Sequence, residues 1–384
     1  MKWLQQVLVL WLAAMILTGC WNRTELPEKA FILGAAIDQI NPDNIKLAVQ
    51  IYKPGQKAGA QGGKQTEPYV NIETKSESVF DAIRDITLHL GRKAQWSHIR
   101  VIIIDDETAR KTPLLSLLEV FYRDHETRMS TKVMISKGNA SNYLEIKPLI
   151  EQTVAHQMKR MQEIGRRESG KVPAVSLLQL AQALKSQVPD TVLPYAIEQE
   201  DAVALPGAAM IKDGKMIGTL TGRQTEKILM LTNQFKRGIL QLPCEPSGNY
   251  KKRKFEAVET HSIRTKITPV LNPDKLKVKV KVLIIGNIGE LKCSRLDKPE
   301  DEIHFQRRLK EEMENQFMET IRVTQKQQID LIGLGNSLYR NHVGVWKKWK
   351  KTWRERYAEA DFQLEVTADI THTLTTVGKP VSAK

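Results

Sequence analysis

The sequence predicts an α+β fold: two to three mixed α/β domains, mixed β-sheets flanked by helices, and a C-terminal domain of long antiparallel strands with one long helix. Four observations carry that expectation. Residues 30–187 alternate strand-like and helix-like apolar patterns without an internal repeat, which suits helices packed on a mixed sheet. Phe255 to Leu271 and Lys275 to Ile285 read as two long strands around the turn Asn272-Pro273-Asp274. In KLKVKVKV, Lys275 to Val282, every second side chain is charged, so one face of that sheet is wet and the other packed. From Glu300 to Asp330 runs a helical pattern, about 45 Å if unbroken, with Leu309, Met313, Phe317 and Ile321 four apart on one face.

The chain opens on Met1 and Lys2, a short positive start, followed by an uninterrupted apolar run from Val7 to Leu17. Eleven apolar residues span about 16 Å as a helix, well short of a hydrocarbon core of about 30 Å, so the run reads as an export signal and not as a membrane span. Leu17-Thr18-Gly19-Cys20 then has the form of a lipobox: an aliphatic residue, two small residues that fit a peptidase cleft, and a thiol that takes a diacylglycerol. The expected division is a lipoprotein signal over 1–19, an N-terminal α/β region over 20–195 and a C-terminal α+β domain over 205–378.

Within the first region, Ala30 to Ile40 and Ile45 to Tyr52 read as strands joined by Asn41-Pro42-Asp43-Asn44. Pro54 to Pro68 has the glycine and polar content of a loop; its GGK lacks the residues of a phosphate-binding loop, with Ala58 and Gln65 at two required places. Ser76 is a candidate cap for a helix carrying Val79, Ile83, Ile86 and Leu90, and Trp96 to Ile104 follows as a buried strand. Thr112-Pro113 opens a helix with the stripe Leu114, Leu117, Leu118 and Phe121; Thr131 to Ser136 is a strand and Ala174 to Gln187 a further helix. Prolines at 189 and 194 end the unit, and the next begins near Leu205 with a hairpin, Ala208 to Ile211 and Met216 to Leu220, around Lys212-Asp213-Gly214-Lys215. A short basic helix and a strand alternating Leu364, Val366, Ala368 and Ile370 with polar residues close the chain.

Composition narrows the function classes. With 41% hydrophobic and 27% charged residues over 384 positions, the chain has ample material for more than one core. The net charge of +14, to which the leader contributes only Lys2, would favour nucleic acid in a cytoplasmic protein. An exported protein meets anionic lipid headgroups or wall polymer instead, so no nucleic-acid partner is expected. Cys244 and Cys293 remain after Cys20; export permits a disulfide between them, but no spacing fixes one, and none resembles a CxxC pair or a zinc site.

No constellation carries recognisable catalysis, metal binding or cofactor chemistry, since HExxH, GxSxG and a complete GxGxxG are all missing. The densest polar cluster is Tyr122 to Arg128, where Asp124 beside Arg123 could orient His125 as a base; no nucleophile or oxyanion donor stands near, and a charged helix end whose groups pair with one another explains it better. In VWKKWKKTWRERY, Trp346, Trp349 and Trp353 fall on one helical face among cations. An interfacial helix would place those indoles among headgroups. A tryptophan stripe at helical spacing is more often the buried face of a helix lying on its own sheet, and that is the expectation here.

These residues together are similar to the Ger(x)C family, the C-subunit lipoproteins of bacterial spore germination receptors. Cys20, Trp21, Asn22, Glu25 and Leu26 fill the places that follow the family's lipidated cysteine, and FILGAAID, Phe31 to Asp38, resembles its first strand. WSHIRVIIIDDETA from Trp96 and FYRDHETRMSTKVMISKGNA from Phe121 resemble its strand, helix and Arg-Asp-x-Glu-x-Arg segment. The hairpin and helix after Pro206, DLIGLG at Asp330 to Gly335, and Trp346 to Trp353 resemble its C-terminal half. The resemblance implies three mixed α/β domains and a non-catalytic subunit on the outer surface of the inner spore membrane. It also implies integral membrane A and B partner subunits, lipid on Cys20 and no cofactor. It supplies neither a small-molecule ligand for this subunit nor the nutrient sensed.

Two rival classes are a transporter's substrate-binding lipoprotein and a lipid-anchored wall enzyme. The first calls for repeated βαβ units in two lobes, whereas the second half here shows long antiparallel-looking strands. The second calls for a catalytic constellation.

Overall fold

A computed structural model describes residues 2–16, 25–53, 67–244, 254–271 and 275–371. In chain order the elements are α1 (Lys2–Ile16), β1 (Lys29–Asn41), β2 (Asn44–Tyr52), β3 (Tyr69–Ser76), α2 (Val79–Leu90), β4 (Lys93–Gln95), β5 (Val101–Asp105), α3 (Asp106–Lys111), α4 (Leu114–Arg123), β6 (Lys132–Ser136), α5 (Ala140–Glu145), α6 (Val154–Ile164) and α7 (Leu177–Leu184). There follow β7 (Thr191–Gln199), β8 (Ala202–Lys212), β9 (Lys215–Thr221), α8 (Gly222–Leu231), β10 (Gly238–Pro243), β11 (Phe255–Leu271), β12 (Leu276–Glu290), α9 (Pro299–Lys326), α10 (Leu334–Asn341), α11 (Val343–Trp349), α12 (Trp353–Ala358) and β13 (Asp361–Thr371). The fold is α+β with two mixed sheets.

The first sheet has nine strands in the order β3-β2-β1-β5-β6-β7-β8-β9, with β4 also on β1. Its centre, β1-β5-β6-β7, is parallel and its two flanks are antiparallel. Central strands covered on both faces must be apolar throughout. In VIII, Ile102 and Ile104 accordingly pack with α2, α4 and α7 on one face, and Val101 and Ile103 with α5 and α6 on the other. The second sheet, β10-β11-β12-β13, has α9 lying across it through Phe305, Leu309, Met313, Phe317 and Ile321. Leu276, Val278, Val280 and Val282 of β12 point into that core, as the alternation in KLKVKVKV requires.

The hairpin that the sequence places at the start of the second unit belongs to the first sheet, because β8 pairs with β7 along its length. Its two faces serve different cores. Ala209, Ile211 and Met216 pack with the N-terminal helices, while Ala208, Met210 and Leu220 join the core built around α9. The turn is as expected: Asp213 and Gly214 both hold positive φ, at 51° and 82°.

Several local expectations are corrected. The cap of α2 is Ser78, whose hydroxyl accepts the Asp81 N–H at 3.1 Å; the Ser76 hydroxyl instead donates to the Asp81 carboxylate. Trp96–His98 is a single 3-10 turn, and the strand begins only at Val101. The long helix stops at Lys326, since Gln328 and Gly333 take positive φ and redirect the chain. Pro194 lies inside β7 rather than breaking it; β7 pairs with β6 only at Tyr195 and Ala196, so the ladder on that side does not reach the proline. The last strand runs parallel to β12, which makes the second sheet mixed and not wholly antiparallel.

Candidate functional site

Cys20 lies outside the described residues. The segment before it is helical over Lys2–Ile16, and among the described residues no helix is long and apolar enough to cross a membrane.

The three tryptophans lie on two short helices and not on one, because a 3-10 turn at Lys350–Thr352 separates α11 from α12. All three are buried in the second core. Trp346 meets Trp353 edge-on with ring centroids 5.6 Å apart, and a chain of rings continues through Tyr357 to Phe362. Arg356 lies over the Trp349 ring at 4.7 Å, so one cation covers the stripe from outside. The stripe is therefore a packed face, as its spacing predicts, and offers no indole to a bilayer.

Beneath it sits a polar junction that holds the two sheets together. The fully buried Asp330 carboxylate accepts the N–H groups of Leu334 and Gly335 at 3.0 and 2.6 Å, capping α10, while its own N–H donates to Asp190. Arg354 donates to both oxygens of Asp190 and to Asp213 of the hairpin turn. The Asn336 side chain clamps the Val188 backbone, accepting its N–H and donating to its carbonyl. DLIGLG is thus explained as an αL turn and a helix cap at a junction. In sequence Asp213 reads only as a turn residue, Arg354 only as one cation of the basic segment and Asp190 not at all; the fold alone brings the three together.

Arg123 and Asp124 are both engaged locally, Asp124 lying 3.8 Å from His125 Nδ1. Arg123 pairs with Glu119 one helical turn back, the Asp124 carboxylate accepts the Glu126 N–H, and the His125 side chain is almost wholly exposed. Glu126 does the structural work by accepting from Gln95 Nε2 at 3.0 Å and pairing with Lys93 at 3.3 Å.

Cys244 and Cys293 form a disulfide, the pairing that spacing left open. Glu256 lies beneath it and accepts the N–H groups of Lys292, Cys293 and Ser294, so the carboxylate organises the loop that carries one sulfur. Cys244, Glu256 and Cys293 are the one gathering of metal-ligand types among the described residues, and with the sulfurs joined to each other and Glu256 hydrogen-bonded it is a structural clasp.

Comparison with known proteins decides the family. The description "Spore germination protein N-terminal domain" matches residues 22–197, and "Spore germination B3/ GerAC like, C-terminal" matches 206–374. The chain belongs to the Ger(x)C family of spore germination proteins. It is 26% identical to spore germination protein KC of Bacillus subtilis (strain 168) over 93% of this chain and 92% of that one, and 25% identical to spore germination protein B3 of the same organism over 99% and 100%. The crystal structure of the GerBC protein is similar with a TM-score of 0.55 and 19% identity, over 88% of this chain and 96% of that one, which shows a shared fold. The two Ger(x)C matches divide between β7 and β8, within one continuous sheet.

Proposed function

We propose that this chain is the lipid-anchored, non-catalytic C-subunit of a nutrient germination receptor. It works beside integral membrane A and B subunits on the outer surface of the inner spore membrane, with diacylglycerol on Cys20 and no other cofactor. The observation that carries the reading is the joint match of both Ger(x)C regions, in order, across nearly the whole chain. A lipobox ahead of the first matched residue supports the anchor. Support for a non-catalytic role comes from the polar clusters themselves: Asp330, Glu256 and Glu126 all spend their carboxylates on backbone or neighbouring side chains.

Two or more acyl chains hold a protein firmly, each buried methylene contributing about 0.8 kcal/mol, so Cys20 should supply most of the membrane affinity. The test is metabolic labelling with a radioactive fatty acid in sporulating cells, followed by a nutrient germination assay. Label on wild type but not on Cys20→Ala, with a weakened nutrient response, is the expected result. Equal labelling of both proteins would remove Cys20 as the anchor.

A further inference from the structure

At the amino-terminal ends of the parallel strands, a cleft of about 360 Å³ is lined by Phe31, Tyr52, His98, Arg100, Thr153 and His156. Arg100 is half-buried there with both backbone groups spent, its N–H on the Leu33 carbonyl and its carbonyl on the Lys132 N–H. Among the described residues no carboxylate pairs with its guanidinium, whereas Lys46 on strand β2 has Asp38 at 3.5 Å. Both imidazoles feel that charge. Burial first, then Arg128 and Arg100, hold His98 below its ordinary pKa; burial and Arg100 do the same to His156, against the opposing pull of Glu151. Glu151 is already engaged by His156 Nδ1 at 3.0 Å and by Arg160. A guanidinium and two imidazoles facing a shared space, with a hydroxyl and a phenol beside them, form a site for an oxyanion.

The surroundings point to where that anion comes from. Ile150 and Leu149, just before the cleft residue Thr153, are 92% and 71% exposed. They are held in place, since the Gln157 amide oxygen accepts the Leu149 N–H at 2.6 Å and the Ile150 N–H at 3.5 Å. Leu26, 72% exposed, stands where the chain approaches β1, whose Phe31 forms a wall of the same cleft. This end of the molecule is therefore the one reached first from Cys20.

We propose that the cleft binds the phosphate of an anionic lipid headgroup, with Ile150 and Leu149 set into the acyl boundary beside it. The proposal rests on the anchored reading above and adds to it a fixed orientation: the amino-terminal ends of β1 and β5 face the bilayer.

The full chain carrying Ile150→Cys, labelled with a polarity-sensitive fluorophore, is reconstituted in vesicles of phosphatidylcholine with and without phosphatidylglycerol. Flotation tests the anchor; the label tests the cleft. The expected result is a blue-shifted emission only with phosphatidylglycerol, and about a fivefold loss of that response in Arg100→Gln, the factor one cation contributes at an anionic surface. A chain that floats but shows the same emission in both vesicles overturns the cleft proposal and leaves the anchor standing. A second measurement needs no anchor: the His98 and His156 imidazole resonances are followed as soluble dioctanoyl phosphatidylglycerol or inorganic phosphate is added. The lipid should shift both at concentrations where phosphate does not, and Arg100→Gln, checked for an unchanged melting temperature, should lose the shift. Equal responses to phosphate would assign a free-oxyanion site and overturn the lipid source, and no response to either would overturn the site.

Discussion

Arg354 sets its guanidinium against the carboxylate of Asp190, 164 residues earlier in the chain, with Nη2 donating to Oδ1 at 2.9 Å and Nη1 to Oδ2. Asp190 stands just before β7 of the first sheet, and Arg354 on α12 beneath the second. The same guanidinium reaches Asp213 at 2.8 Å in the β8–β9 turn and the Gln328 carbonyl at 3.2 Å after α9. One cation thus ties four segments from both halves.

Removing it should be costly out of proportion to one ion pair. The Asp190 carboxylate is fully buried, so Arg354→Met strands a charge and should lower the unfolding free energy by about 3 kcal/mol. Urea titration measures this directly. Adding Asp190→Asn in the same chain should restore part of the loss, and a double-mutant sum equal to the two single effects would show that the pair is not coupled.

The tryptophan stripe gives a packing test. A Cβ added at Gly335 would lie 2.7 Å from Trp353 Nε1 and 2.6 Å from Val188 Cγ2, so the helix and the indole touch only because residue 335 has no side chain. Gly335→Ala should destabilise by about 1–3 kcal/mol through overpacking, and Trp353→Ala by about 3–5 kcal/mol through a cavity. Thermal melts of both variants decide it. If Trp353→Ala melts like wild type and loses vesicle binding, the indole faces lipid and not the core.

Much of this fold was legible because its signals are local. The β12 alternation, the four-residue spacing along α9 and the Asp-Gly turn each depend on neighbours in sequence, and Val280, Phe317 and Asp213 fall where they are expected. What was not legible depends on pairings across more than a hundred residues. Nothing near Asp190 announces Arg354, and Arg100 becomes a candidate ligand only once β1, β5 and α6 bring His98 and His156 around it. The split of the Trp346–Trp353 segment into two helices is not legible in the sequence because a 3-10 turn shifts the stripe's periodicity very little.

The pair Glu226–Lys227 on α8 is a further case that sequence hides, since adjacent charges on a helix ordinarily face solvent. Here both side chains are buried, Lys227 Nζ donates to Glu226 Oε2 at 2.7 Å, and burial lowers the lysine's pKa. Lys227→Met leaves an uncompensated carboxylate and should cost about 3–5 kcal/mol, whereas Glu226→Leu with Lys227→Met should come within about 1 kcal/mol of wild type or exceed it. Chemical denaturation of the two variants separates these outcomes; equal losses would mean that water reaches the site.

Asp330 makes the junction pH-dependent. Burial, with Asp190 adding, raises its pKa to about 6 despite the two N–H groups its carboxylate accepts. In the unfolded chain such a group titrates near about 3.9, so the folded protein holds the proton to higher pH. Its contribution is therefore most stabilising below about pH 4 and is lost as pH rises through about 6, a difference of about 3 kcal/mol across that window. Asp330→Asn cannot titrate, although its amide offers one acceptor where the carboxylate offers two, and so loses one of the bonds to Leu334 or Gly335. The wild-type advantage over Asp330→Asn in urea unfolding should accordingly shrink by up to about 3 kcal/mol between about pH 4 and pH 7. Subtracting the mutant curve removes every other titrating group, Asp105 included, whose pKa burial also raises. A difference that stays constant across the range would mean that Asp330 is ionised throughout, the N–H groups of Leu334 and Gly335 holding its charge more strongly than burial and Asp190 oppose it.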